Sequence, residues 1–152
     1  MQANRRNDVV VFLATGCFTG FLPRMPGTWG TFAAIPLVIL THSGGPFVEF
    51  ITASLFLVTA VWLAGKAEVL LGSRDASQIV IDEMFGFVIS LLWLPLSLKH
   101  LCLGFVFFRF FDIVKPPPIA YLEVKLPGGW SVVLDDALAG VYTNIGLRLL
   151  LA

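Results

Sequence analysis

Pro46-Phe47-Val48-Glu49-Phe50-Ile51-Thr52-Ala53-Ser54-Leu55-Phe56-Leu57-Val58-Thr59-Ala60-Val61-Trp62-Leu63-Ala64-Gly65 is the stretch whose reading decides the fold class. A helix needs about 20 predominantly apolar residues to cross the ~30 Å hydrocarbon core of a bilayer, and this stretch supplies them. Residues 82–98 and 132–152 also qualify by length. Residues 29–41 and 101–114 are shorter and can tilt, lie partly in the interface or extend into their flanks. Residues 9–22 are short and rich in small side chains, as in a segment that enters the membrane and returns. None of the six alternates as a barrel strand does, and open strands would leave backbone groups unpaired in lipid. The expected fold is all-α: a polytopic membrane helical bundle with short or re-entrant segments, forming one domain over residues 1–152.

Composition agrees. Apolar residues make up 57% of the chain and charged residues 13%, with mean hydropathy +0.88. Soluble domains have about 45–50% apolar and about 25% charged residues. A globule of this size buries only about 68–70% of its unfolded surface, so lipid must cover the surplus. The soluble alternative is an unusually apolar helical globule that oligomerises. Zero formal net charge offers no basic field for nucleic acid. Cys17 and Cys102 stand alone in apolar runs, which argues against a zinc site or a disulfide scaffold. His42 and His100 are equally isolated, each near the end of an apolar run, and are read as loop or interfacial residues. Arg5 and Arg6 before an apolar stretch resemble a signal peptide, but no clean small-residue cleavage site follows, so the segment is expected to be retained.

Short connections separate the segments: His42-Ser43-Gly44-Gly45, a polar loop over residues 66–77, the helix stop Pro116-Pro117-Pro118, and a turn at Pro127-Gly128-Gly129. If segments two to six all cross, Trp29, Gly65, Asp82, Val114 and Val132 fall on one face. That face carries Arg24, Lys66, Arg74, Lys115 and Lys125, against Lys99 and Arg148 on the other. The positive-inside bias assigns the richer face to the cytoplasm, and a re-entrant first segment adds Arg5 and Arg6 to it.

Five of the ten acidic residues fall at that face, at Asp82-Glu83, Asp112 and Asp135-Asp136, each embedded in apolar sequence. Ionised groups at membrane depth are costly and usually functional. Helix N-capping is the alternative for Asp82 and Asp135, but it does not explain doubled acids. Clustered carboxylates without Cys or His suit a hard, oxygen-loving cation such as magnesium, so Asp82, Glu83, Asp112, Asp135 and Asp136 are candidate ligands. Arg109 and Lys115 lie three residues either side of Asp112, and helical spacing puts Arg109 and Asp112 on one face. The pair is either an intrahelical ion pair or part of a phosphate site in which Arg109 supplies a guanidinium fork and Lys115 a second positive charge. Pro26-Gly27-Thr28-Trp29-Gly30-Thr31 opens an apolar helix and can offer the amides of Gly27 and Thr28 to an anion, unless Thr28 simply caps the helix. Gly86 and Gly140, each four residues after an acid, are read as close-packing positions between helices. No Cys-x5-Arg loop, D-x-D-x-[TV] run or matching histidine context is present, which points to metal-assisted water attack, with a covalent aspartyl-phosphate as the alternative.

These residues carry a resemblance. Pro23 to Thr31, Ile81-Asp82-Glu83-Met84-Phe85-Gly86, Phe108-Arg109-Phe110-Phe111-Asp112-Ile113-Val114-Lys115-Pro116-Pro117-Pro118-Ile119, and Gly128-Gly129 through Leu134-Asp135-Asp136-Ala137-Leu138-Ala139-Gly140 resemble, in order, the motifs of the phosphatidylglycerophosphatase A family. Ser131 departs from the pattern, where glycine is expected. The resemblance implies a magnesium-dependent hydrolase of the bacterial inner membrane that converts phosphatidylglycerophosphate to phosphatidylglycerol and phosphate. Its catalytic set would be Asp82, Glu83, Arg109, Asp112, Lys115, Asp135 and Asp136, facing the cytoplasm. The rival class is a cation- or proton-coupled transporter using intramembrane carboxylates, which would be expected to place them near the midplane, often within paired repeats. A CDP-alcohol phosphotransferase is the rival enzyme, but its widely spaced aspartate motif is missing.

Overall fold

A computed structural model describes residues 2–119 and 128–151, with side chains described from residue 5. Lys125 and Pro127, placed at the cytoplasmic face and in a turn by sequence, lie outside the described residues. The order is α1 (Gln2–Ala14), a 3-10 turn (Thr19–Phe21), α2 (Pro26–His42), α3 (Gly45–Leu71), α4 (Ile81–Leu91), α5 (Leu98–Val114) and α6 (Gly129–Leu151). There is no strand among the described residues, as the absence of alternation predicts.

The bundle is organised around α4, which packs on α2, α3, α5 and most extensively α6. Nine of its 11 residues are buried, which fits a helix apolar on every side. Its contact with α6 is backbone on backbone. A Cβ at Gly86 would lie 2.6 Å from the Asp136 carbonyl oxygen, and one at Gly140 would collide with the Gly86 carbonyl. Both glycines therefore act as the close-packing positions expected of them.

The fourth segment is corrected: residues 82–98 do not form one crossing helix. At 11 residues α4 spans roughly 16 Å, about half the hydrocarbon core. It stops because α6 satisfies its terminal carbonyls. Asn144 Nδ2 donates to Ile89, Ser90 and Leu92 (3.3, 3.1 and 2.9 Å), and Arg148 Nη2 to Leu92 and Trp93 (3.1 and 3.3 Å). Pro95 follows and disfavours helical backbone at Leu94.

Two other boundaries move. Helix α3 continues past Gly65 to Leu71 and ends at Gly72 in the left-handed conformation (φ 70°), so Lys66 belongs to a helix and the polar loop is shorter than expected. Apolar packing explains the extension, because Leu63, Ala64 and Ala67 are buried against Val10 and Ala14 of α1. The first segment turns back rather than continuing as one helix. Helix α1 lies along the C-terminal half of α3, and the chain reverses through Gly16, Cys17 and Phe18, all at positive φ. The 3-10 turn then packs on the segment before α4, where a Cβ at Gly20 would collide with the Gln78 carbonyl. Arg6 and Lys66 consequently line one groove, at the end of the bundle where α2 and α4 begin.

The alternation of ends holds. At the far end His42 Nε2 meets the Leu94 carbonyl at 3.1 Å, and Glu49 accepts from the Trp93 amide at 2.8 Å, near Arg148. At the other end the starts of α2 and α4 meet the last turns of α5 and the first half of α6. Of the three segments expected to span by length, only α3 is long and apolar enough among the described residues, and only 28% of its most apolar window is buried. A core helix of a soluble protein would be mostly covered. Phe47, Leu55 and Val58 of α3, Leu98 and Val106 of α5 and Leu149 of α6 are likewise exposed.

Candidate active site

The glycine contacts set the site. Asp82 precedes Gly86 by one turn, and Asp136 precedes Gly140 by one turn. Drawing α4 and α6 together at the glycines therefore brings the two aspartates side by side. Asp82, Glu83 and Asp136 each offer a carboxylate oxygen, and the three oxygens lie within 4.8 Å of one another. N-capping does not explain the acids. The cap of α4 is Val80, with no side-chain cap hydrogen bond, and Asp135 lies in the second turn of α6.

The other two candidate carboxylates face cations. Asp112 Oδ2 lies 2.6 Å from Arg109 Nη1, as the i,i+3 spacing predicts. The contact is close but lacks hydrogen-bond alignment, so Arg109 Nη1 and Nε are buried without a hydrogen-bond partner. Asp135 Oδ2 accepts from Lys115 Nζ at 2.7 Å, and its Oδ1 accepts from the Asp136 amide at 3.0 Å. Lys115 ends α5 in the left-handed region (φ 44°), which turns its side chain toward α6. Asp112 also neighbours Glu83 and Asp136. An inner group (Asp82, Glu83, Asp136) is thus flanked by two cation–carboxylate pairs. Further unpartnered buried atoms are Asp82 Oδ1, Glu83 Oε2 and Thr28 Oγ1.

Helix α2 contributes its first turn. Pro26 at its start suits the fixed proline φ, and Met25 before it is left-handed (φ 55°). A Cβ at Gly27 would collide with Glu83 Oε1 and lie 2.8 Å from Arg109 Nη1, so only glycine lets α2 approach both side chains. The Thr28 amide is not free as expected; it donates to the Met25 carbonyl at 3.0 Å. The Thr28 hydroxyl is the group left available, while the Gly27 amide takes no part in that turn's hydrogen bonds. The Thr28 hydroxyl was not among the donors expected from sequence, and the Arg24 carbonyl accepts from Trp29 Nε1 at 3.2 Å and closes the turn. The Pro-Gly-Thr-Trp order was the available signal. Ser131, in place of the expected glycine, is buried and donates to the Gly128 carbonyl at 3.2 Å, leaving the acids undisturbed.

A buried group of oxygen ligands beside a guanidinium is suited to a divalent cation and a phosphate ester. Comparison with known proteins decides the family. Residues 12–151 match the family model described as phosphatidylglycerophosphatase A. The chain belongs to the phosphatidylglycerophosphatase A family. It is accordingly an enzyme of the phosphatase class. A Haemophilus influenzae relative named phosphatidylglycerophosphatase A is 38% identical over 135 residues, covering 88% of this chain and 83% of the relative. An Escherichia coli relative of the same name is 35% identical over 130 residues, covering 85% and 76%. A Bacteroides thetaiotaomicron relative, provisionally named a phosphatidylinositol-3-phosphatase, is 38% identical over 149 residues, covering 93% and 92%. No solved structure matches the chain. The transporter alternative gains no support from these relatives.

Proposed function

We propose that this family member removes the terminal phosphate of phosphatidylglycerophosphate, releasing phosphatidylglycerol and phosphate, with magnesium held by Asp82, Glu83 and Asp136. The observation that carries this reading is the buried inner group, whose Asp82 Oδ1 and Glu83 Oε2 lack partners beside the unsatisfied Arg109 Nε. Five carboxylates stand against two cations. If all were ionised, three negative charges would remain uncompensated (five minus two). An all-oxygen set of this kind fits magnesium better than zinc or copper. When bound, the metal supplies Lewis-acid polarisation of the phosphoryl oxygens.

The chain's own groups do the rest. Arg109 Nε and Nη1, the Thr28 hydroxyl and the Gly27 amide bind the non-bridging phosphoryl oxygens and stabilise the charge that builds on them. Asp112 holds the Arg109 fork in place, and Asp135 holds Lys115 near the same phosphate. As the water oxygen bonds to phosphorus, a carboxylate of the cluster takes a water proton and delivers it to the glycerol oxygen as the phosphorus–oxygen bond to glycerol breaks.

The setting follows from exposure and charge. The uncovered apolar surface of α3, α5 and α6 makes a polytopic bundle in lipid the reading in best accord with this fold. Asp136 lies seven residues into α6, about 10 Å from its start, so the site is nearer one end than the midplane. That end carries Arg6, Lys66, Arg74 and Lys115 against Lys99 and Arg148 at the other, which favours a cytoplasmic site in a bacterial inner membrane.

The Bacteroides relative motivates a second substrate, an inositol lipid phosphorylated at the 3-position. Phosphate release by the purified protein from phosphatidylglycerophosphate and from phosphatidylinositol 3-phosphate, in matched mixed micelles, separates the two. The first reading expects a preference for phosphatidylglycerophosphate. Equal or greater release from the inositol lipid overturns it.

A further inference from the structure

Helices α2 and α5 both lie against α4 but make almost no close contact with one another. Side chains fill the seam between them. Its inner end holds Gly27 of α2, with Thr28 beside it, Arg109 of α5 and Glu83 of α4. One turn further along each wall stands an aromatic ring. Phe32 is four residues beyond Thr28 and Phe105 four before Arg109, so each ring shares a helix face with a residue of the site. The two rings meet across the seam with centroids 4.4 Å apart.

The rings continue a path. Trp29, at the exposed lip, is 6.2 Å from Phe32, and Phe105 backs edge-on onto the fully buried Phe87 at 6.1 Å. Phe32 itself is 48% exposed. The seam therefore has a polar inner end, with a buried and unpartnered Thr28 hydroxyl, and an outer part closed by apolar rings, of which Phe32 and Trp29 reach the side of the bundle. Those two chemistries in series match a phospholipid, whose phosphate and acyl chains are joined in the same order. A small soluble phosphate ester would leave the aromatic part unused. In lipid, separating two rings and inserting an acyl chain exchanges one apolar contact for another without exposing either to water.

We propose that the seam between α2 and α5 is the lateral entrance and acyl-chain site of the substrate, and that Phe32 and Phe105 part to admit a chain. The proposal rests on the phosphatase reading above and adds the route by which the lipid reaches it. Phe32 and Phe105 are positioning residues and touch no reacting atom.

The test compares two substrates, phosphatidylglycerophosphate and its fully deacylated counterpart, in mixed micelles with magnesium. The double variant Phe32→Ala with Phe105→Ala removes the apolar walls. It should raise KM for the lipid by about tenfold, the order expected for losing buried apolar contact, while KM for the deacylated ester stays within twofold. Phe110→Ala, on the exposed outer face of α5, should change neither. A second measurement avoids dependence on packing: a Phe32→Cys, Phe105→Cys variant that also carries Cys17→Ala and Cys102→Ala is cross-linked with a short bismaleimide. The tethered protein should lose lipid turnover and keep turnover of the deacylated ester. Full lipid turnover by the tethered protein, or equal KM changes for both substrates in the double variant, overturns the proposal. Hydrolysis of neither substrate by the unmodified protein instead removes the phosphatase reading and this route with it.

Discussion

Gly27→Ala separates the site from the fold more cleanly than removal of a charge. The added Cβ would overlap Glu83 Oε1 and lie 2.8 Å from Arg109 Nη1 and 3.0 Å from Glu83 Cδ. Every atom in its way belongs to the outer part of a flexible side chain, so the backbone need not move. Alanine is also preferred to glycine inside a helix by up to about 1 kcal/mol. Stability should therefore hold or rise slightly. The Glu83 carboxylate must retreat by on the order of 1 Å, and misplacement of that size costs roughly 100-fold in rate. This corresponds to about 2.7 kcal/mol of transition-state stabilisation. Phosphate release from phosphatidylglycerophosphate, measured beside thermal unfolding in the same detergent, gives both quantities. The expected result is turnover near one-hundredth of the original with an unchanged or higher unfolding temperature. Turnover within threefold of the original would refute the placement of Glu83 in the reacting group.

Gly86→Ala should behave differently, because its Cβ meets the Asp136 backbone oxygen and the Phe108 ring, each at 2.6 Å; both activity and stability should fall, the latter by about 1–3 kcal/mol in unfolding measurements. Arg109→Lys keeps the charge but loses the planar fork, so turnover should drop far more than charge counting suggests, and the double change Arg109→Gln with Asp112→Asn should not recover it in steady-state rates. Recovery in the double variant would reduce the pair to an internal salt bridge. Asn144→Ala unties three carbonyls at the end of α4, so the unfolding temperature should fall while the rate per folded molecule is retained.

The residues that gather at the candidate site were legible in the sequence, and the fold was less so. Carboxylates in apolar runs are conspicuous because their desolvation needs a reason, and the spacing of Arg109 and Asp112 is a local helical property. Gly86 and Gly140 were legible for the same cause, each lying one turn from an acid. The length of α4 was not legible. Its end depends on Asn144 and Arg148, more than fifty residues later, supplying partners to its carbonyls, and a hydropathy pattern carries no trace of that. The reversal after α1 was foreshadowed by the short, small-residue character of residues 9–22, but its place, at Gly16 to Phe18, was not. The separation of Asp112 and Asp135 from the inner three carboxylates depends on which cation each meets in space. The Lys115–Asp135 contact spans 20 residues and two helices.

If Asp82, Glu83 and Asp136 hold the magnesium on which hydrolysis depends, phosphate release from phosphatidylglycerophosphate will follow the metal. Purified protein stripped with chelator and then titrated with magnesium is to be measured for the original chain and for Asp82→Asn. No release is expected in chelator, with recovery on adding magnesium. For Asp82→Asn the titration midpoint should lie at higher magnesium and the rate should be lower by orders of magnitude. Full turnover in excess chelator, or the same magnesium titration for both proteins, would contradict that role for the three carboxylates.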